Sequence, residues 1–300
     1  MKTTLKKKKI NMKKNKEILN KILESLSFIP DKFYLKLIYF FKFKKYLNLN
    51  KPKSFNEKLQ YLKLKQKDKK FSKLSDKYKV KEYVKEKIGE NILIKSLWVG
   101  KNPTKIPFKK LPKKFIIKIN DSSGQNIIVK DKNKINKQDI IKKLNKWMTQ
   151  KYWKRSRELN YKDIDKKIIV EEFLEDKKTT IPKDYKFFIF NGKAKYIQID
   201  IDRFTKHKRC IYDIKWKKQN FGLEYEFFRE EVKKPNNLKK MIQYAEKLAN
   251  NLPFVRVDFY EVNQKIYFGE ITFYPGGGIE KFFPNHDELD LKFGEKIKLK

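Results

Sequence analysis

The spacing of apolar residues changes along the chain, and each change marks an element. Residues 17–47 carry a helical pattern broken at Pro30-Asp31, where Asp31 is suited to cap the second piece. After the loop LNLNKPKSFN the helical pattern resumes in EKLQYLKLKQ and again over 75–89, SDKYKVKEYVKEKIG, with Ser75 or Asp76 as cap and Gly89 as stop. ILIKSLWV (92–99) reads as a strand. FIIKIN (115–120) and NIIVKD (126–131) read as two more, joined around DSSGQ. A helix over KQDIIKKLNKWMTQKYWK precedes the strand KIIVEEFLE. DYKFFIFNGKAKYIQIDIDRF is a hairpin turning at Asn191-Gly192, a dipeptide suited to a tight turn between strands. A helix over 237–250 is followed by the strands FVRVDFY (254–260) and KIYFGEITF (265–273), joined at Glu261–Gln264. No repeat of 20–50 residues is visible. The pattern predicts an α+β chain of antiparallel hairpins with intervening helices.

The last hairpin carries the most chemistry. Strand residues alternate faces, so Arg256 and Asp258 share one side of the first strand, and Phe268, Glu270 and Thr272 share one side of the second. A three-residue loop centred on Gln264 would set Asp258 opposite Glu270 and Arg256 opposite Thr272. A two-residue turn at Asn263-Gln264 would set Asp258 opposite Gly269. Opposed carboxylates repel, and either a divalent cation or simple neutralisation by Arg256 would explain them. The strand ends at PGGG, where glycines would let backbone approach a ligand closely.

Charge and composition narrow the partners. The formal charge is +40, but the lysines are spread along the whole chain and greatly outnumber arginines. That distribution argues against nucleic acid and leaves phosphate-bearing substrates or an anionic membrane surface. Cys210 is the one cysteine, which excludes an intrachain disulfide and fits a reducing cytosol. The lysine-rich N-terminus lacks the apolar core of a signal peptide. FYLKLIYFFKFKKYL (33–47), broken by Lys36 and Lys42, is too short and charged to span a bilayer; it suits a helix lying on a membrane or packed on its own domain.

The sequence contains no GxGxxG, Walker A, HExxH or GxSxG motif, and His207 and His286 are the only histidines. Catalysis would therefore run on carboxylates, Lys and Arg. In DSSG, Ser122, Ser123 and Gly124 could hydrogen-bond phosphate or simply form a turn. Glu171 and Glu172 follow a buried-looking strand. Asp200 and Asp202 form a D-x-D, suited to a metal-dependent glycosyltransferase or to an ordinary ion pair with Arg203.

In order, DKYKVKEYV, FIIKINDSSGQNIIVKDK, VEEFLED, DYKFFIFNGK, IDRFTKHKR and FVRVDFYEVNQKIYFGEITFYPGGG resemble the ATP-grasp superfamily. The match runs over roughly residues 30–295 and looks most like the TupA-like branch, associated with teichuronopeptide and other surface-polysaccharide synthesis. The resemblance implies two α+β subdomains clasping ATP. It implies that Lys118 contacts phosphate, that Ser122, Ser123 and Gly124 close over the phosphates, and that Glu171 meets the adenine amino group beside Phe173 and Leu174. It further implies that Asp184 reaches ribose, that Lys186 reaches phosphate, that Asp258 and Glu270 hold Mg²⁺, and that Arg256 faces the transferring phosphoryl group. Thr272 stands where many relatives carry Asn.

These readings give an expected division into a basic, helical region over 1–75, an N-terminal ATP-grasp subdomain over 76–172 and a C-terminal one over 173–300. The expected activity is ATP- and Mg²⁺-dependent joining of a carboxylate to an amine through an acyl-phosphate. The acceptor would be a surface polysaccharide or its precursor, with an amino acid or peptide as the other substrate. Arg203, His207 and Arg209 are the candidate substrate contacts, and the setting would be cytoplasmic, with the inner face of the membrane as a possible station. The alternatives are a glycosyltransferase using Asp200 and Asp202, and a non-catalytic binding protein with a basic surface.

Overall fold

The computed structural model describes residues 26–176, 182–201 and 207–299. The lysine-rich N-terminal stretch, Asp202 and Arg203 lie outside them. Helices α1 (Asp31–Phe43), α2 (Phe55–Lys65), α3 (Lys69–Ser75) and α4 (Val80–Lys87) lead into strands β1 (Ser96–Gly100), β2 (Phe115–Ile119) and β3 (Asn126–Val129). Helices α5 (Lys137–Thr149) and α6 (Tyr152–Ser156) return the chain to β4 (Ile168–Glu172). Next come β5 (Asp184–Phe190), β6 (Lys193–Ile201), β7 (Lys208–Asp213), β8 (Gly222–Leu223) and β9 (Glu226–Phe227). Then follow α7 (Leu238–Ala249), β10 (Phe254–Val262), β11 (Lys265–Thr272), β12 (Phe282–Phe283) and α8 (His286–Glu295). The expected α+β hairpin architecture is what the chain adopts.

Several boundaries move for local reasons. Helix α2 starts at Phe55, two residues before its apolar pattern, because Ser54 and Glu57 form a reciprocal capping box. The single helix expected over 75–89 is interrupted at Asp76, whose Oδ1 accepts from the backbone N–H groups of Tyr78 (2.8 Å) and Lys79 (3.2 Å) and from Asn120 Nδ2 (3.0 Å). The helix expected to run to Lys154 ends at Thr149, where Gln150 turns extended, and α6 begins at Tyr152.

Two sheets carry the site. The smaller has the order β1-β4-β2-β3, and all its pairings are antiparallel. Phe115, Ile117, Ile119, Val129, Ile168 and Val170 pack on Ile140 and Leu144 of α5. The alternate positions, including Lys118 and Glu171, share the opposite face.

The larger sheet has the order β11-β10-β5-β6-β7-β9. One face, with the rows Val257-Phe187-Ile197-Tyr212 and Phe259-Tyr185-Ile199-Cys210, packs with Met241, Ala245 and Leu248 of α7. The other face is divided. Its aromatic half, Phe188, Phe190 and Phe254, is covered by Phe55 of α2 and by Phe282 and Phe293 near the C-terminal end. Its polar half carries Tyr260-Asp184-Asp200-Arg209 and Glu270-Asp258-Lys186-Gln198 in register across neighbouring strands. Helices α2, α3 and α4 contribute Phe55, Leu59, Leu62, Phe71, Val80 and Val84 to this larger core, so a boundary at residue 76 cuts through packed structure.

Candidate active site

Two adjoining cavities separate the sheets. The first, of about 150 Å³, is polar: Lys77, Lys81, Lys118 and Glu171 line one side, and Asp184, Lys186, Asp258 and Glu270 of the larger sheet line the other. The second, of about 360 Å³, is lined by Ile116, Ile128, Phe173, Leu174 and Pro182, with Glu172, His207 and Tyr225 at its edge. Ile94, Lys118, Gly124, Asn126 and Tyr260 belong to both walls.

The geometry of β10 and β11 decides what faces the polar cavity. They are joined by a two-residue turn, with Asn263 and Gln264 both at positive φ (48° and 65°), and not by the three-residue loop. A regular ladder from that turn would oppose Asp258 to Gly269. A bulge intervenes: Phe259 pairs with Phe268, then Asp258 pairs with Glu270 and Arg256 with Thr272. The expected pairing is thus reached by a different route. Phe268 does not share the face of Glu270; it lies opposite Phe259, their rings 6.2 Å apart, in the core.

Arg256 binds both carboxylates. Its Nε and Nη2 donate to the two oxygens of Asp258 at 2.7 Å each, and Nη2 also donates to Glu270 Oε1 and Thr272 Oγ1 at 3.1 Å. Burial disfavours the guanidinium charge, but Asp258 and Glu270 outweigh it and raise the pKa of Arg256. Lys186 Nζ donates to Asp258 Oδ2 at 2.9 Å and to Asp184 Oδ2 at 2.5 Å. Of the pair, Asp258 has 2% of its side chain exposed and Glu270 37%, and Glu270 Oε2 lies 4.0 Å from Lys77 Nζ.

The groups at this pair able to ligate a metal ion are oxygens: the carboxylates of Asp258 and Glu270 and the Thr272 hydroxyl. Among the described residues no group of three or more His, Cys, Asp and Glu side chains is placed to hold a metal ion by itself. Two carboxylates and a hydroxyl fit a small hard cation that takes its remaining ligands from phosphate and water, the usual condition of Mg²⁺.

Across the cleft, Glu171 is buried, with Oε1 2.5 Å from Lys81 Nζ and Oε2 2.7 Å from Lys118 Nζ. Burial alone would raise its pKa, but the two ammonium groups hold it below the usual carboxylate range. Glu171 therefore lines the polar cavity, and Glu172 is the glutamate that lines the apolar cavity with Phe173 and Leu174. In the 121–125 loop, Ser123 and the positive-φ Gly124 are exposed at the cleft. Ser122 is buried and its carbonyl accepts from Lys77 Nζ. Asp121 turns inward to Lys166 (3.1 Å), and burial raises its carboxyl despite that lysine.

The expected substrate contacts come apart. Arg209 is buried inside the sheet, donating to Asp200 Oδ1 (2.7 Å), Glu280 Oε1 (3.0 Å) and the Leu223 carbonyl (2.9 Å), so it buttresses the site from within. His207 packs against Tyr225, their ring centroids 3.8 Å apart and the planes tilted by 35°, and lines the apolar cavity. Arg203 lies outside the described residues. Asp200, engaged by Arg209 and by Gln198 Nε2, is 6% exposed and does not present the open carboxylate that a D-x-D metal site needs; Asp202 is outside the described residues. Lys77 and Lys81 were missed by sequence reasoning, although their four-residue spacing in DKYKVKEYV aligns them on one side of a helical turn.

The PGGG turn packs its carbonyls against α2. Gly276, Gly277 and Gly278 all have positive φ. Gln60 Nε2 donates to the carbonyls of Gly277 (3.0 Å) and Gly278 (2.6 Å), and Lys63 Nζ donates to that of Gly277 (2.6 Å). A Cβ on Gly278 would lie 2.6 Å from Gln60 Nε2. Close approach is thus required, but by α2.

No curated protein matches the chain by sequence. Among solved structures it is similar to D-alanine–D-alanine ligase from Bacillus anthracis complexed with ATP, at 15% identity and TM-score 0.40 over 67% of this chain and 53% of that one. It is also similar to N5-carboxyaminoimidazole synthetase from Staphylococcus aureus (14%, TM-score 0.40, 67% and 44%) and to D-alanine–D-alanine ligase from Helicobacter pylori (16%, TM-score 0.41, 80% and 62%). The chain spans about half the length of the first of these. The family model described as TupA-like ATP-grasp matches residues 57–298, which hold both sheets and both cavities. The chain belongs to the TupA-like ATP-grasp family.

Proposed function

We propose that this protein is an ATP- and Mg²⁺-dependent ligase that joins a carboxylate to an amine through an acyl-phosphate. One observation carries the reading. An apolar cavity sized for a base opens into a polar cleft where Lys77, Lys81 and Lys118 on one side oppose Asp258, Glu270 and Lys186 on the other. The base would lie against Phe173 and Leu174, with Glu172 at its edge. Lys118, Lys77 and the Ser123-Gly124 backbone would take the phosphates. Glu270 and Asp258 would hold Mg²⁺, which supplies charge neutralisation to the phosphates when bound. Arg256 and Lys186 fix Asp258 in place, and Arg256 also holds Glu270. Positioning and electrostatics of this kind suit phosphoryl transfer without histidine.

The acceptor in this reading belongs to a cell-surface polysaccharide or its precursor, with an amino acid or peptide as the second substrate. The setting is the cytoplasm, at the inner face of the membrane. No helix among the described residues is long and apolar enough to cross a bilayer. Helix α1 buries Tyr34, Leu35 and Tyr39 and exposes Phe33, Phe40 and Phe41 beside Lys32, Lys36 and Lys44, an arrangement suited to an anionic lipid surface. Division into subdomains on either side of residue 172 also belongs to this proposal, with α2–α4 assigned to the larger sheet.

The test is thermal stabilisation by Mg²⁺·ATP in the wild type, Asp258→Asn and Glu270→Gln. A shift in the wild type that shrinks in both variants supports the reading. No wild-type shift at millimolar nucleotide would sink it.

A further inference from the structure

A further cavity lies away from the cleft. It has a volume of about 580 Å³ and sits between α1, α6 and the glycine turn. Leu26, Leu37, Ile38 and Phe41 form an apolar wall, with Ile279 opposite. Its floor is charged and buried. Lys63, 1% exposed, donates to the carbonyls of Gly277 (2.6 Å) and Ser156 (3.0 Å). Glu158, 3% exposed, accepts from Tyr152 Oη at 3.0 Å. Arg155, at the side, has its guanidinium 5.6 Å from the Tyr152 ring and no carboxylate partner among the described residues.

A cavity lined this way is unusual for a passive void, which is normally apolar throughout or else filled by its own polar groups. Three cations line it, Lys42, Lys63 and Arg155, against one carboxylate, Glu158. Lys42 is already paired with Glu224 at 2.6 Å, which leaves Arg155 as the cation to meet an incoming anion. Short stretches of chain tie the floor to the polar cleft: Asn160, two residues after Glu158, donates through Nδ2 to Ser75 Oγ at 2.6 Å, two residues before Lys77, and Gly276 follows Thr272 by four residues. The mouth is bordered by Phe41 of α1, 64% exposed, the helix that carries the outward-facing aromatic and lysine residues.

We propose that this cavity is the acceptor site and takes an amphipathic anion, its nonpolar chain along Leu37, Ile38 and Phe41 and its phosphate or carboxylate against Arg155. The apolar wall suits a nonpolar chain, and Arg155 at the side is complementary to an acidic head. Its role as acceptor site rests on the ligase reading above; its ligand class does not.

The experiment uses the full-length protein and dodecyl phosphate below its micelle concentration, with inorganic phosphate and dodecanol as separate probes. Melting temperatures are read for the wild type, Leu37→Asp and Arg155→Gln, each also with Mg²⁺·ATP as a check on folding. The expected result is a rise of several degrees with dodecyl phosphate in the wild type alone, no rise with either half-probe, and an intact Mg²⁺·ATP shift in all three proteins. A dodecyl phosphate shift of equal size in both variants, or one reproduced by inorganic phosphate, overturns the assignment, as does no shift in the wild type. A dodecyl phosphate shift confined to the wild type, with no Mg²⁺·ATP shift in any protein, supports the ligand class and sinks the ligase reading instead.

Discussion

Asp258 faces Glu270 because β11 carries one residue more than its partner at Gly269. Without that residue's displacement, the tight Asn263-Gln264 turn would place Glu270 opposite Val257, on the apolar face under α7. The bulge lets Phe268 stay in the core and Glu270 reach the cleft within three residues. A Cβ at position 269 would lie 3.0 Å from the Asp258 carbonyl oxygen and 3.3 Å from the Tyr260 ring. Gly269→Ala is expected to cost about 1–3 kcal/mol in urea unfolding and to weaken Mg²⁺·ATP binding as well. Unchanged nucleotide affinity in a measurably destabilised variant would show that the bulge does not set the site.

Arg256 is the sole cation bonded to both members of the pair among the described residues. Replacing it by Met leaves Asp258 buried with Lys186 alone. A loss of about 3–5 kcal/mol is expected, the scale for breaking a buried ion pair. Arg256→Lys should recover only part of this, because an ammonium cannot reproduce the two-pronged contact. Full recovery by Lys would mean that charge alone matters there.

Glu171 has both oxygens engaged by lysines of the polar cavity. Glu171→Gln should therefore weaken ATP and GTP by similar factors, through displaced Lys81 and Lys118. A selective loss of ATP, leaving GTP binding unchanged, would restore the contact with the adenine amino group that the family resemblance implies.

That contrast marks where sequence and structure part. Hairpins at Asn191-Gly192 and after Val262, the strand carrying Lys118 and the carboxylates of the last hairpin are all legible, because turn chemistry and alternation are local. The bulge is not, since nothing in KIYFGEITF separates a glycine that bends a ladder from one that merely sits in it. Nor are the partners of Arg209: His207 and Arg209 look like free cations in IDRFTKHKR until β7 lies beside β6 and Glu280 arrives from 71 residues away. Lys77 and Lys81 escaped for the same reason, since only the smaller sheet gives them Ser122 and Glu171 as neighbours.

Asp290, on α8, gives a pH signature. Its Oδ1 accepts from the backbone N–H and Nδ2 of Asn56, both at 2.9 Å, and burial pushes its carboxyl up from 3.8 to about 6. A carboxyl raised in the folded state stabilises below its unfolded value, and that contribution is lost as pH rises through the folded value. Asp290 should therefore lose on the order of 2–3 kcal/mol of stabilisation between about pH 4 and pH 6. Asp290→Asn keeps the Oδ1 acceptor and removes the titration. Its stability relative to wild type should rise across that window and level off above it. A difference that stays constant with pH would refute the shift.

The bond from Asn56 to Asp290 joins residues 234 positions apart, and Phe55 beside it packs on Phe282 and Phe293. A nascent chain halted near residue 284 has already synthesised every strand of the six-stranded sheet, yet not α8. Phe190 and Phe254 then have only part of their cover, and α2 has no Asp290 to bind. The helix that carries Asp290 and Phe293 must therefore leave the ribosome before the larger core can close. Until then an aromatic surface stands open to chaperones or to neighbouring chains.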